Sequence, residues 1–247
     1  MTSIGVKLRA SIAAIAEYTL QVQTDVVLLP GLHGSVALFD SFIALAPTWA
    51  RCRPITLPVN GDQSFEALAI VLEQAVRGME GFVLFAESFS APIAAKIAHR
   101  LGEKVAMLVL CNPLVEVSAA VAPSLLSRLL RFRTISTWLT ATALTGSQLQ
   151  LAKSVMREIH ALPPRVLEQR LAVACAARRS ELLPYLAAPL LLITSTSDRL
   201  IDADVAESVV REVPFAISRK IRAPHLAAQT APSEIWAIIS EEFVRAA

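Results

Sequence analysis

The sequence predicts an α/β protein, a mostly parallel sheet flanked by helices and broken by one helical insertion. Two observations lead to this reading. Short apolar runs of the kind that form strands alternate with stretches of helical periodicity, and after the fourth run a long helical segment delays the next one. The runs cover residues 26–29, 54–57, 82–85, 105–110, 190–193 and 215–217. Continuous apolar runs of this length describe strands buried on both faces, which is the condition of a parallel sheet covered by helices. The intervening helices are predicted over residues 64–77, 91–101, 203–212 and 233–245. The first 23 residues stay open: residues 10–16 favour helix, while residues 18–22 alternate like a strand.

Residues 114–188 form the insertion, which leaves residues 1–113 and 189–247 as the core domain. The insertion divides into amphipathic helices at Pro123, Gly146, Pro163-Pro164 and Pro184. Its position after a strand's C-terminal end suits a lid.

With 54% hydrophobic and 18% charged residues in 247, the chain has the composition of one large globular domain, not of a disordered segment or a nucleic-acid-binding tail. No run reaches the roughly 18 apolar residues of a membrane span. The best candidate, residues 182–193, contains Pro184 and Pro189. Lys7 and Arg9 precede an apolar stretch that Glu17 cuts short, unlike a signal peptide, so a cytoplasmic protein is expected. Cys52, Cys111 and Cys175 have no metal-ligand spacing and read as buried spectator thiols. The net charge of +2 is unevenly spread: the insertion carries nine basic and four acidic residues, for +5, against −3 for the remainder.

The chemistry centres on Ser88. It follows the run 82–85 directly and precedes a helix whose proline, Pro92, stands where a first turn tolerates it. A serine is a poor nucleophile unless it projects from a sharp strand-to-helix turn toward a base. The elbow pattern G-x-S-x-G meets that need, and here Ala86 and Ser90 replace its glycines with other small residues. As a string this is weak, since a serine also caps helices. The partners strengthen it. Asp198 stands in the loop after the run 190–193, where it would orient an imidazole, while its rivals Asp202 and Asp204 look like the cap and first turn of the next helix. His225 follows the last run and precedes the final helix. His99 and His160 lie within helical stretches and read as solvated or packed.

An oxyanion hole needs two N–H groups aimed at the developing charge. Phe89 should supply one. The loop Pro30-Gly31-Leu32-His33-Gly34-Ser35 should supply the other, from Leu32, or from His33 if the loop is shifted by one residue. The His33 side chain either lines the pocket or holds that loop in place.

Together these residues resemble the α/β-hydrolase superfamily, and within it the small bacterial serine carboxylesterases with a Pro-Gly-Leu-x-Gly-(Ser/Thr) loop and a Glu-Ser-Phe-Ser elbow. The resemblance covers residues 26–243 apart from the insertion. It implies a sheet of about six core strands without the usual N-terminal hairpin, a helical cap, and two-step hydrolysis of a small-molecule ester that uses no metal and no organic cofactor. Apolar cap positions such as Leu125, Leu126, Leu129, Leu130, Phe132, Trp138, Leu139 and Leu144 would receive an acyl chain or form the cap's own core. Arg128, Arg131 and Arg133 beside them suit a phosphate or carboxylate. Some cap-bearing relatives grip acyl carrier protein this way, so a carrier-protein methyl ester esterase or a thioesterase is an alternative, as is a solvated helix face. A non-catalytic ligand-binding relative is the reading of another class, disfavoured because all three triad positions are filled.

Overall fold

The computed structural model describes residues 23–116, 137, 142–179, 182, 185 and 189–246. Among these, six strands form one sheet: β1 (Thr24–Leu29), β2 (Ala50–Pro54), β3 (Phe82–Glu87), β4 (Val105–Cys111), β5 (Leu190–Ser195) and β6 (Ile217–Ile221). Their spatial order is β2-β1-β3-β4-β5-β6, with every neighbouring pair parallel. The chain runs from β1 out to β2, returns past β1 to β3, and then builds the sheet outward in the other direction. The order thus reverses between β1 and β3. In open α/β sheets the crevice at such a reversal, beyond the carboxyl ends of the strands, is where ligands bind.

The helices are α1 (Asp40–Ala44), α2 (Phe65–Val76), α3 (Ala91–Leu101), α4 (Leu149–Ala161), α5 (Pro164–Ala176), α6 (Ala203–Val210), α7 (Ala227–Thr230) and α8 (Pro232–Ala246). Alternation along each strand sends successive side chains to opposite faces. Leu84, Ala86, Leu108, Leu110 and Leu192 pack on one side under α2, α3 and α6. Val83, Phe85, Val109 and Ile193 pack on the other against Phe39, Phe42, Trp236 and Ile239 of the loop helices and α8. Phe42 stacks on Trp236 with ring centroids 4.5 Å apart, which closes that layer.

The central strands occupy the predicted runs, and the two edge strands do not. The run 54–57 predicts a strand, but β2 is Ala50-Arg51-Cys52-Arg53-Pro54. The run 215–217 predicts another, but β6 is Ile217-Ser218-Arg219-Lys220-Ile221, and Phe215 lies outside it at φ +67° and 95% exposed. Both strands are sheet edges, and an edge needs no continuous apolar run. It favours charged side chains that discourage pairing with another chain. Those charges are matched: Arg51 and Arg53 pair with Asp25, and Lys220 lies 2.8 Å from Glu207.

Between β4 and β5, α4 and α5 pack through Val155, Met156, Ile159, Val166, Leu167 and Leu171 onto Leu38 and Leu226. Pro164 opens α5, in the first turn, where a backbone N–H has no intrahelical acceptor. No helix among the described residues is long and apolar enough to cross a membrane.

Candidate active site

The carboxyl ends of four strands carry the predicted site. β3 ends at Glu87 and turns at Ser88, whose φ of +52° lies in the left-handed region that a side chain rarely adopts. The turn continues through Phe89 and Ser90 into α3. Such strain persists only where the surroundings impose it. Here they do: Ser88, Phe89 and Ser90 are buried, the Ser88 carbonyl accepts Leu114 N–H at 3.0 Å, and Ser90 Oγ donates to the Pro30 carbonyl. Ser90 therefore does more than stand in for a small residue. It ties the elbow to the loop after β1.

His225, in the loop after β6, brings Nε2 to 2.8 Å from Ser88 Oγ, and its Nδ1 lies 2.7 Å from Asp198 Oδ2. Both the His225 and the Asp198 side chains are almost wholly buried. The other carboxylate oxygen of Asp198 accepts the N–H groups of Leu200 at 2.7 Å and Ile201 at 3.0 Å, which fixes the carboxylate plane. With Nδ1–H donating to Asp198, Nε2 is left as the acceptor facing the serine hydroxyl. Asp202 and Asp204 are elsewhere employed: Asp202 caps α6 through the Asp204 N–H at 2.9 Å, and Asp204 stands in its first turn.

Leu32 and His33 form the turn after β1, the strand beside β3. A side chain added at Gly31 would lie 3.8 Å from Ser88 Cβ, so the loop and the nucleophile are in close approach. Phe89 follows Ser88 in the elbow, and the loop that carries Leu32 comes nearest Ser88 at Gly31. His33 is buried and accepts the Ser35 N–H through Nδ1 at 3.2 Å, so it braces the loop. His99 is exposed on α3, edge-on to Tyr185, and His160 lies on α4. Arg128 and Arg131 lie outside the described residues, as do Arg133, Leu125, Leu126, Leu129, Leu130, Phe132, Trp138, Leu139 and residues 1–22. Leu144 is described, and its carbonyl accepts the N–H of Leu226, next to His225, at 3.0 Å.

The sequence matches no protein-family model and no curated protein. Its structure is similar to a hydrolase from Oleispira antarctica, with a TM-score of 0.78 at 15% identity over 90% of this chain and 91% of that one. It is also similar to an enol-lactonase from Burkholderia xenovorans, with a TM-score of 0.76 at 12% identity over 90% and 92% of the two chains. The chain has the α/β-hydrolase fold. A thermophilic esterase from Thermogutta terrifontis shares it, with a TM-score of 0.74 at 17% identity over 91% of each chain.

Two residues that support the site within this α/β-hydrolase fold carry no motif in the sequence, and a third stands in the elbow string beside Ser88. Asn112, at the end of β4 with φ +44°, donates through Nδ2 to Ser195 Oγ at 2.8 Å and to the His225 carbonyl at 2.7 Å, and accepts Ser195 N–H at 2.8 Å. It joins the end of the strand before the Asp198 loop to the backbone of His225. Arg170, on α5, is fully buried and donates to the carbonyls of Leu32, Leu57 and Pro58 and to Gln63 Oε1. Burial lowers its pKa to about 10.

The third is Glu87, fully buried behind the nucleophile, with the Ala228 N–H at 3.4 Å and Gln229 Nε2 at 3.1 Å from its oxygens. Burial, the largest influence, pushes its carboxyl from 4.5 up to about 7 against those hydrogen bonds. The folded state then holds a proton that the unfolded chain has released. This favours the fold below pH about 4.5, fades as pH rises, and is gone above about 7. Glu87→Gln should remove that slope, gaining on the order of 2 to 3 kcal/mol over wild type between pH 5 and 8 in urea unfolding. Parallel curves for the two proteins would refute a buried neutral Glu87.

Proposed function

We propose that the chain is a serine carboxylesterase with Ser88 as nucleophile, His225 as general base and acid, and Asp198 as the carboxylate that orients His225. The observation that carries this reading is the hydrogen-bonded line from Asp198 through His225 to a serine held at positive φ, beyond the carboxyl ends of a parallel sheet. Fold alone would not decide the matter. The similar structures that are an esterase and an enol-lactonase support hydrolysis as the reaction.

In the first step His225 Nε2 takes the Ser88 proton as Oγ attacks the ester carbonyl. The Leu32 and Phe89 N–H groups receive the oxyanion, the second aided by its place in the turn that leads into α3. The imidazolium then gives its proton to the departing alcohol. A water enters, loses a proton to His225 and attacks the acyl carbon, so that the acid leaves and Ser88 recovers its hydrogen. His33 contributes to the acyl pocket. Residues 114–188 act as its cap, with α4 and α5 resting on Leu38 and on Leu226, the residue after His225. The carrier-protein reading rests on Arg128 and Arg131 and draws no support from the described residues, so small-molecule esters are the substrates proposed.

A panel of nitrophenyl esters of increasing acyl length, with fluorophosphonate labelling, tests the proposal. The wild type should hydrolyse the shorter esters and take up the label at Ser88, and Asp198→Asn should lower kcat by roughly 10⁴-fold. A wild type that binds esters or their acids without turning them over, and that resists labelling, would instead be a ligand-binding relative.

A further inference from the structure

His33 has one nitrogen committed and one not. Nδ1 accepts the Ser35 N–H at 3.2 Å, which puts the ring proton on Nε2. Nε2 is buried and meets no acceptor among the described residues, and the residue as a whole is only 6% exposed. A buried donor without a partner is costly, so its presence here calls for an acceptor that arrives with a ligand.

Two neighbours say where that acceptor would lie. A side chain built on Gly31 would meet His33 Nε2 at 3.7 Å, His33 Cδ2 at 3.8 Å and Ser88 Cβ at 3.8 Å, so the imidazole edge and the nucleophile border the same space. His33 follows β1 and His225 follows β6, while β3, which carries Ser88, lies between those strands in the sheet. They approach Ser88 from opposite sides. The alcohol must leave beside His225, which protonates it. The group facing His33 is therefore on the acid side of the ester. The ring is neutral near pH 7, since burial, helped by Arg170 and opposed by Glu158, lowers its pKa to about 4. A neutral N–H suits a neutral oxygen.

Resting on the esterase reading above, we propose that His33 is a specificity-determining residue whose Nε2–H binds an oxygen on the acyl group close to the scissile carbonyl. The substrates it selects are esters of short hydroxy, keto or alkoxy acids over esters of plain alkanoic acids.

The test compares nitrophenyl methoxyacetate with nitrophenyl butanoate, which match in shape and differ by an ether oxygen for a methylene. Each kcat/KM is divided by the ester's alkaline hydrolysis rate to remove intrinsic reactivity. Wild type should prefer the methoxyacetate. His33→Phe should cut that preference roughly five- to tenfold, and His33→Gln, which keeps an N–H donor, should restore part of it. Losses of equal size on both esters, or no change in their ratio in either variant, would overturn the inference and leave the esterase reading standing. A wild type inert toward both esters would overturn the two together.

Discussion

Ser88→Ala should lower kcat on nitrophenyl esters by about 10⁴-fold or more while leaving the melting temperature within a few degrees of wild type. Removal of the hydroxyl deletes the nucleophile, and what remains is the modest advantage of a preformed oxyanion site. The small stability effect follows from the contacts of the side chain, whose hydrogen-bond partner is His225 alone among the described residues. Ser88→Gly makes a sharper pair with it. At φ +52° a glycine carries no Cβ penalty, so this variant should be equally inactive yet more stable than Ser88→Ala by roughly 1 kcal/mol. That outcome would tie the strained elbow to activity and not to folding. Residual turnover above a tenth of wild type in Ser88→Ala would assign the nucleophile elsewhere.

The parts of the molecule that could be read from the sequence share a physical origin. β3 and β4 are buried on both faces, so their sequences are continuous apolar runs bounded by turn residues, and Ser88 could be located from the strand before it and the helix after it. Asp198 and His225 were legible because loops at strand ends hold few other groups capable of their chemistry. β2 and β6 were displaced by two to four residues because edge strands answer to solvent on one side and leave no apolar signature. Asn112 and Arg170 were illegible for another reason. Their partners are mostly backbone atoms of segments far away in the chain, and a carbonyl looks the same whatever residue bears it. Arg170 counted as one of nine cations in a basic insertion, where charge suggests a solvated helix face. It is instead the largest side chain fully buried in the described protein.

That burial makes Arg170→Met the second substitution with a large expected effect. The guanidinium reaches Leu32 O at 2.9 Å, Pro58 O at 2.9 Å, Leu57 O at 3.4 Å and Gln63 Oε1 at 2.9 Å. It thus joins α5 of the insertion to the loop after β1 and the loop after β2. Methionine would fill much of the volume and leave four acceptors without their donor, at about 1–3 kcal/mol for each one that stays dry. Against this stands relief from burying a cation, for which no carboxylate among the described residues stands within hydrogen-bonding distance, and that relief is several kcal/mol in its own right. The expected net loss is about 3 kcal/mol in urea unfolding. Turnover should fall on the order of 10²-fold beyond any loss of folded protein, since the Leu32 carbonyl that Arg170 holds belongs to the residue proposed to receive the oxyanion. Arg170→Lys should recover little, because one ammonium cannot reach acceptors spread around a planar fork. Gly34 offers the decisive cross-check. It adopts φ +72°, and a Cβ there would collide with the Arg170 guanidinium and press on Leu57 at 3.0 Å. Gly34→Ala should therefore injure the same contact from the other side. The double variant Gly34→Ala/Arg170→Met should lose at least 1 kcal/mol less than the two single losses combined. Full additivity, or wild-type stability in Arg170→Met, would mean that the guanidinium does not hold this loop.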